Sequence, residues 1–205
     1  FPYQLSQLTI MKFVNRLGAA AINAKIYCYM MANAMYLYSV SIAQATQIVV
    51  GYLVGRRELG AIRERVWRSV IVSIAVSESL NLVIYLLAEP IFRIFTQDPA
   101  VIALARQIIL IEFALELGRS VNITMVRCLI AAGDVRFPVG AALFSTWFIA
   151  VGLGWLLGMH FGMGLQGLWI GMAADECFRG LLFVLRFRAG TWQRFAEKAQ
   201  APLQI

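Results

Sequence analysis

Charged side chains are scarce: Asp, Glu, Lys and Arg make up 14% of the 205 residues, against about 25% in a soluble domain. Apolar residues take their place at 60%, above the roughly 45–50% of soluble chains, and mean hydropathy is +0.73. A globule of this size cannot hide so many apolar side chains in its own core. The composition therefore points to lipid as the solvent and excludes a disordered chain, a secreted disulfide scaffold and a typical soluble enzyme. The sole histidine is His160, at the edge of an apolar run, so no His–Cys or His–Ser dyad can form deep in a membrane. No G-x-x-x-x-G-K-[ST] loop is present, which removes ATP as a direct energy source. Cys28, Cys128 and Cys177 are odd in number and lie apart among apolar neighbours, a pattern that forms neither a disulfide framework nor a zinc cluster. The net charge is +7, yet the arginines gather between apolar runs and build no basic, aromatic-interleaved face, so nucleic acid is not an expected partner. No enzyme activity and no cofactor are expected, and any transport must draw on an ion gradient.

What is abundant is hydrophobic length. A bilayer span needs about 20 predominantly apolar residues, and spans are expected at about 26–54, 66–88, 108–132, 137–159 and 165–187. Residues 1–13 are too short and too polar (Gln4, Ser6, Gln7, Lys12) to cross alone, and are expected to be the end of a helix that begins before Phe1. The fold class is thus an all-α polytopic membrane protein whose partner is the lipid bilayer. Gly55-Arg56-Arg57-Glu58, Glu89-Pro90, Gly133-Asp134 and Gly162 with Gly164 punctuate the spans. Arg56, Arg57, Arg63, Arg65 and Arg68 in one loop, and Arg186, Arg188, Arg194 and Lys198 near the chain end, place both segments in the cytoplasm by the positive-inside rule. Residues 188–205 are then a cytoplasmic tail, the Asp134–Arg136 loop also lies inside, and 89–99 and 159–164 lie outside.

Polar groups within the apolar runs are the candidates for function, because a charge at the centre of a membrane helix costs about 2.5–3.5 kcal/mol on insertion scales. Glu112, Glu116, Arg119 and Asn122 recur at spacings of four and three, which puts them on one helix face with Glu116 able to pair with Arg119. They are either a self-neutralising tie between helices or a site of substrate or proton handling. Asp175, Glu176 and Arg179 set two acids beside one arginine at i+4 and i+3. This group is either a proton carrier or an interfacial cluster facing the cytoplasm. Ser39, Ser41, Gln44, Thr46 and Gln47 form an uncharged row, followed by Ser69, Ser73, Ser77, Glu78 and Asn81. The every-fourth-residue serines allow close helix approach, and Glu78 has no basic residue nearby in sequence. Gly154 and Gly158 form a GxxxG, which implies contact and no chemistry.

Several stretches resemble the multidrug and toxic compound extrusion (MATE) family of cation-coupled antiporters, in its carboxy-terminal half. Gln44-Ala-Thr-Gln47-Ile-Val-Val-Gly51 running to Val54-Gly55-Arg56 is similar to a helix end with its glycine turn, and Phe95-Thr-Gln-Asp98-Pro99 to an outer loop. Ala132-Gly133-Asp134-Val-Arg136-Phe-Pro138 resembles the inner loop after the tenth span, and Gly164-Leu-Gln-Gly167-Leu-Trp169-Ile-Gly171 the entrance of the twelfth. Glu116-Leu-Gly-Arg119-Ser-Val-Asn122 and Asp175-Glu176-Cys-Phe-Arg179-Gly180 resemble one bacterial branch. The resemblance implies one six-helix lobe of a two-lobed antiporter in the bacterial inner membrane, binding small-molecule drugs between lobes and coupled to protons or sodium. It also implies a partner, either an amino-terminal lobe or a second copy. Arg119 takes the place of an acid that many members carry in the tenth span, with Glu116 one turn away. Implied pathway residues are Glu116, Arg119, Asn122, Asp175, Glu176 and Arg179, with Gln47, Glu112 and Glu78 beside them. A lipid-linked oligosaccharide flippase of the same superfamily and a non-transporting membrane fragment or interaction subunit are the alternatives.

Overall fold

The structure, a computed structural model, describes residues 2–199. Among these the regular elements are all helices: α1 (Pro2–Arg16), α2 (Ala19–Gly55), α3 (Leu59–Leu86), α4 (Ala88–Phe95), α5 (Pro99–Ala131), α6 (Arg136–His160), α7 (Gly164–Arg188) and α8 (Thr191–Ala199). Three of them, α2, α3 and α6, are long and apolar enough to cross a membrane. At 33 and 25 residues, α5 and α7 also have the length. They differ from the other three in the charged residues at their midpoints, which are the groups singled out above.

Local chemistry explains where the helices begin and end. The Asp98 carboxylate accepts from the Ala100 N–H at 2.9 Å, and Pro99 occupies the first helical position, where no N–H is needed. So α5 starts well before the apolar run at 108, on a cap worth about 1 kcal/mol. It ends in a Schellman turn: Gly133 at φ 93 donates to the Ile130 carbonyl, and Asp134 N–H to that of Leu129. The end of α2 differs from the glycine turn expected there. Gly55 is the last helical residue, and Arg57, at φ 63, takes the left-handed position, with Glu58 N–H donating to Leu53 O.

Two short amphipathic helices occupy segments expected to be loop and tail. In α4, Ala88 and Phe92 are buried while Ile94 faces out, and Arg93 pairs with Glu89 at 2.7 Å. In α8, Trp192 and Ala196 are buried, and the Trp192 indole stacks on Phe187 and donates to its carbonyl at 3.0 Å. Lys198 belongs to the end of α8, where its side chain lies outside the described residues, as do residues 200–205.

At the centre α5 packs against α7, α2 and α3, and α6 packs against α7. Paired positions fix the directions. Ser39–Ser120 and Gln47–Arg127 advance together, so α2 runs parallel to α5. Gln107–Gln166 and Asn122–Glu176 make α7 parallel as well. Ser77–Ser120 and Tyr85–Phe113 advance in opposite senses, so α3 is antiparallel. The glycines of the α6 GxxxG meet a second such pair on α7. A Cβ on Gly167 would lie 2.5 Å from Gly158 N, and one on Gly171 2.5 Å from Gly154 Cα, so the two backbones touch where only hydrogen fits. Within α6 the stretches Thr146–Leu153 and Leu156–His160 are wound as wider π-helical turns, an irregularity often found beside functional sites.

Two apolar cores form. One holds Ile10, Val14, Cys28, Phe92, Ile108 and Trp169, the other Val54, Ile62, Val66, Met125, Phe183 and Trp192. Between them lies a layer of buried polar and charged groups. Outward, Ile48 and Ile71 are 74% and 64% exposed, an apolar exterior suited to lipid rather than water.

Candidate functional site

The polar layer is built chiefly on the middles of α5 and α7. On α5, one turn separates Glu112 from Glu116, and both carboxylates are buried. Arg119 lies between them, hydrogen-bonded to Glu116 Oε1 and 3.5 Å from Glu112 Oε1. Trp169, on α7, donates its indole N–H to Glu112 Oε2. On α7, Arg179 donates to Asp175 Oδ2 at 2.7 Å and reaches Glu176 Oε1 at 3.0 Å. Asn122 joins the two groups, its amide donating to Glu176 Oε2 at 2.6 Å. The result is one network of four carboxylates and two guanidiniums. It spans two parallel helices midway along their length, not at the end where Arg186 meets Asp134.

Such a network is sustainable in a low-dielectric interior only because nearly every charge has a partner of opposite sign. The balance is incomplete all the same. Four acids face two arginines: Glu112 Oε1 has only the 3.5 Å contact with Arg119, the Glu112 and Glu116 carboxyls lie against each other, and Asp175 also meets the Ser145 hydroxyl. The site therefore has acceptor oxygens in hand for a proton or a small cation. No group of three or more His, Cys, Asp or Glu arranged to hold a metal ion occurs among the described residues.

Small clefts open onto this network. One of about 90 Å³ is lined by Gln7, Lys25, Tyr29, Asn33, Tyr36, Arg119, Trp169 and Glu176. Another of about 290 Å³ is lined by Tyr36, Asn122, Arg127, Glu176 and Arg179. The Arg119 guanidinium sits 5.9 Å from the centre of the Tyr36 ring, which shapes the wall between them. A larger groove of about 460 Å³, between Tyr85, Arg93 and Arg106 at the α4 end, lies apart from the carboxylates and takes no part in the site.

Of the expected site residues, Glu112, Glu116, Arg119, Asn122, Asp175, Glu176 and Arg179 are brought together. Gln47 is not; its carbonyl oxygen accepts from Arg127 at 3.5 Å, nearer the second apolar core. Glu78 lies on α3, half-buried, with Oε1 enclosed and without a hydrogen-bond partner. Trp169, Tyr36 and Lys25 were not among the expected residues. Trp169 lies in a quoted motif, but its bond to Glu112 depends on how α5 and α7 pack, which periodicity does not encode.

Comparison with known proteins agrees with this architecture. The chain is 35% identical over 190 residues to "Uncharacterized transporter YisQ" of Bacillus subtilis, a match covering 93% of this chain and 42% of that protein. It is 30% identical over 164 residues to "Probable multidrug resistance protein NorM" of Thermotoga maritima, covering 79% of this chain and 34% of the relative. The chain thus spans less than half the length of the curated relatives it matches. In fold it superposes on the structure of "MATE transporter ClbM in complex with Rb+" with a TM-score of 0.87 at 21% identity, over 97% of this chain and 46% of that one. The eukaryotic MATE transporter AtDTX14 gives 0.83 at 16% identity, over 96% of this chain and 45% of that one. This is an all-α polytopic membrane protein with the architecture of one transporter lobe. With the MatE profile matching residues 1–156, the chain belongs to the MatE family.

Proposed function

We propose that the chain forms one half of a secondary active multidrug efflux transporter, which exports cationic or amphipathic compounds in exchange for protons or sodium across the bacterial inner membrane. The observation that carries the reading is the α5–α7 network, with two carboxylates beyond the number its arginines neutralise. Intramembrane ionisable groups facing a bundle interior commonly mark ion and substrate pathways. A proton or sodium ion entering this network would reduce its negative charge, and a cationic drug would compete for the same charge. The relatives whose names include "multidrug resistance protein" support the substrate class.

Transport by rocking requires two repeats around a shared site. A second lobe, supplied by an amino-terminal portion or by another copy of the chain, completes the cavity in this reading. A lipid-linked oligosaccharide flippase would call for a predominantly basic cavity. Arg119 and Arg179 are both engaged by carboxylates, which leaves Lys25 and Arg127 as the other basic groups at the clefts and favours the drug reading.

The test is Glu116→Gln in the complete native protein. Removing this ionisable group abolishes drug efflux while membrane abundance stays at the wild-type level. Unchanged efflux overturns the role.

A further inference from the structure

Beside the α5–α7 network runs a second buried polar seam, on the opposite side of α5, where it meets α2 and α3. Its fixed point is a triangle of hydroxyls: Ser39 and Ser77 at 3.0 Å, Ser77 and Ser120 at 3.2 Å, and Ser39 and Ser120 at 3.5 Å. Because α3 and α5 are antiparallel, each step of one turn forward on α3 is a step of one turn back on α5. Asn81 then falls level with Glu116, and Ser73 level with Thr124. These four residues are all fully buried.

Hydrogen bonding in the seam is incomplete in a consistent way. Both polar atoms of the Asn81 side chain lack a partner, as do Ser73 Oγ and Thr124 Oγ1. A primary amide sealed in a protein interior with neither its carbonyl nor its NH2 satisfied carries a large free-energy penalty. Buried polar groups of this kind are ordinarily satisfied by ordered water when the site is polar. Here four unpartnered atoms, from the turns on either side of the hydroxyl triangle, line one seam, and the triangle itself can both donate and accept.

We propose that the α2–α3–α5 seam holds a file of bound water from Asn81 and Glu116, past the serine triangle, to Ser73 and Thr124, and that it conducts protons between Glu116 and the inner half of the lobe. The inference rests on the reading of Glu116 as a group that changes protonation during transport. Each transfer is conservative. The proton leaving the Glu116 carboxyl bonds to the first water, which releases one of its own protons to the next. The last water delivers one proton to the hydroxyl of Ser69, the next serine along α3 and the first with contact to the exterior, which gives up one of its own to solvent. The serine hydroxyls relay in the same manner, each accepting one proton as it gives up another. The route lies inside this lobe, so the carboxylate could load or unload without exposing the drug cleft to bulk water.

Asn81→Leu and Thr124→Val test the seam in the complete native protein, with two measurements. The first is thermal stability in detergent or nanodiscs. Leucine has nearly the shape of asparagine, so in a dry seam Asn81→Leu removes two unsatisfied groups and raises the melting temperature. In a hydrated seam it evicts bound water, and the melting temperature stays or falls. The second is substrate-driven proton flux in proteoliposomes. Asn81→Leu and Thr124→Val are each expected to slow it at least tenfold, with drug binding unchanged. Ser73→Ala, a smaller change, serves if Asn81→Leu does not fold, with the same slowing expected. A higher melting temperature in Asn81→Leu overturns the proposal, as does wild-type flux in the seam variants. If Glu116→Gln abolishes flux while the seam variants conduct normally, the water file alone fails and the transport reading stands. If Glu116→Gln conducts normally, both fail; if proton flux is absent because sodium alone couples, the water file fails and the transport reading stands.

Discussion

The Asn122 amide donates to the Glu176 carboxylate at 2.6 Å, and this one bond joins the α5 acid–arginine group to that of α7. Glu176 is otherwise held by Arg179 within its own helix. The two helices already lie close, since a Cβ on Gly118 would come 2.5 Å from Cys177 N. Asn122 and Glu176 therefore meet across a contact whose spacing is set by the backbones, and the bond has little room to re-form elsewhere.

Asn122→Ala tests that tie. A hydrogen bond to a charged group contributes about 1.5–3 kcal/mol, and that loss is expected in the unfolding free energy of the detergent-solubilised protein. Asn122→Asp places a second carboxylate against Glu176 and is expected to cost more at neutral pH, because like charges meet in a region of low dielectric. Equal stability of Asn122→Ala and the wild type would remove the bond from the account of the site.

Glycine contact between α6 and α7 yields a contrast of sign. Gly167→Ala drives a methyl group to 2.5 Å from Gly158 N, a contact that requires the backbones to part. A loss of at least 1–3 kcal/mol, as for overpacked cores, is expected in a thermal melt. Gly140→Ala, on the same α6, meets nothing within 4 Å and is expected to gain about 1 kcal/mol from helix propensity alone. Matching shifts in the two variants would show that the close approach is not sustained.

How much of this was legible in the sequence depended on distance along the chain. Glu116 with Arg119, and Asp175 and Glu176 with Arg179, pair within one helix, so helical spacing alone found them. Asn122 with Glu176 and Trp169 with Glu112 lie more than 50 residues apart, and their meeting follows from the parallel packing of α5 on α7. Gly154 and Gly158 signalled a contact but not its partner, which proved to be Gly167 and Gly171. Hydropathy windows sized for a bilayer passed over α4 and α8, each shorter than ten residues and apolar on one face only. Nothing in the sequence marks Arg57 as the left-handed residue ending α2, because glycine is the usual occupant of that position and Gly55 lies two residues before it.

Arg57 at φ 63 gives a prediction in the stabilising direction. A left-handed backbone costs a non-glycine L-residue roughly 1–2 kcal/mol, and Arg57 is exposed, so little packing is lost with its side chain. Arg57→Gly is expected to raise unfolding free energy by about 1 kcal/mol, net of the greater entropy glycine has when unfolded. A melting temperature equal to or below that of the wild type would show that the guanidinium contributes more than the turn costs.

At the other end of α5, Asp134 and Arg186 form a pair whose two halves are unequal. Arg186 Nε lies 2.9 Å from Asp134 Oδ2, and the guanidinium stands 4.5 Å over the Phe137 ring, so one arginine fastens the α5–α6 turn to the end of α7. The Asp134 side chain is 2% exposed, whereas that of Arg186 is 24% exposed. Removing the arginine strands a carboxylate that has no route to water, while removing the acid leaves a guanidinium that can turn outward and hydrate. Arg186→Met is therefore expected to destabilise by about 3 kcal/mol, near the lower end for a broken buried pair, and Asp134→Asn by distinctly less. The double variant should fall between them or recover toward the wild type, because a charge left alone is costlier than none. Additive losses in that cycle would mean that the two groups act independently, and that Phe137 rather than Asp134 is what Arg186 holds.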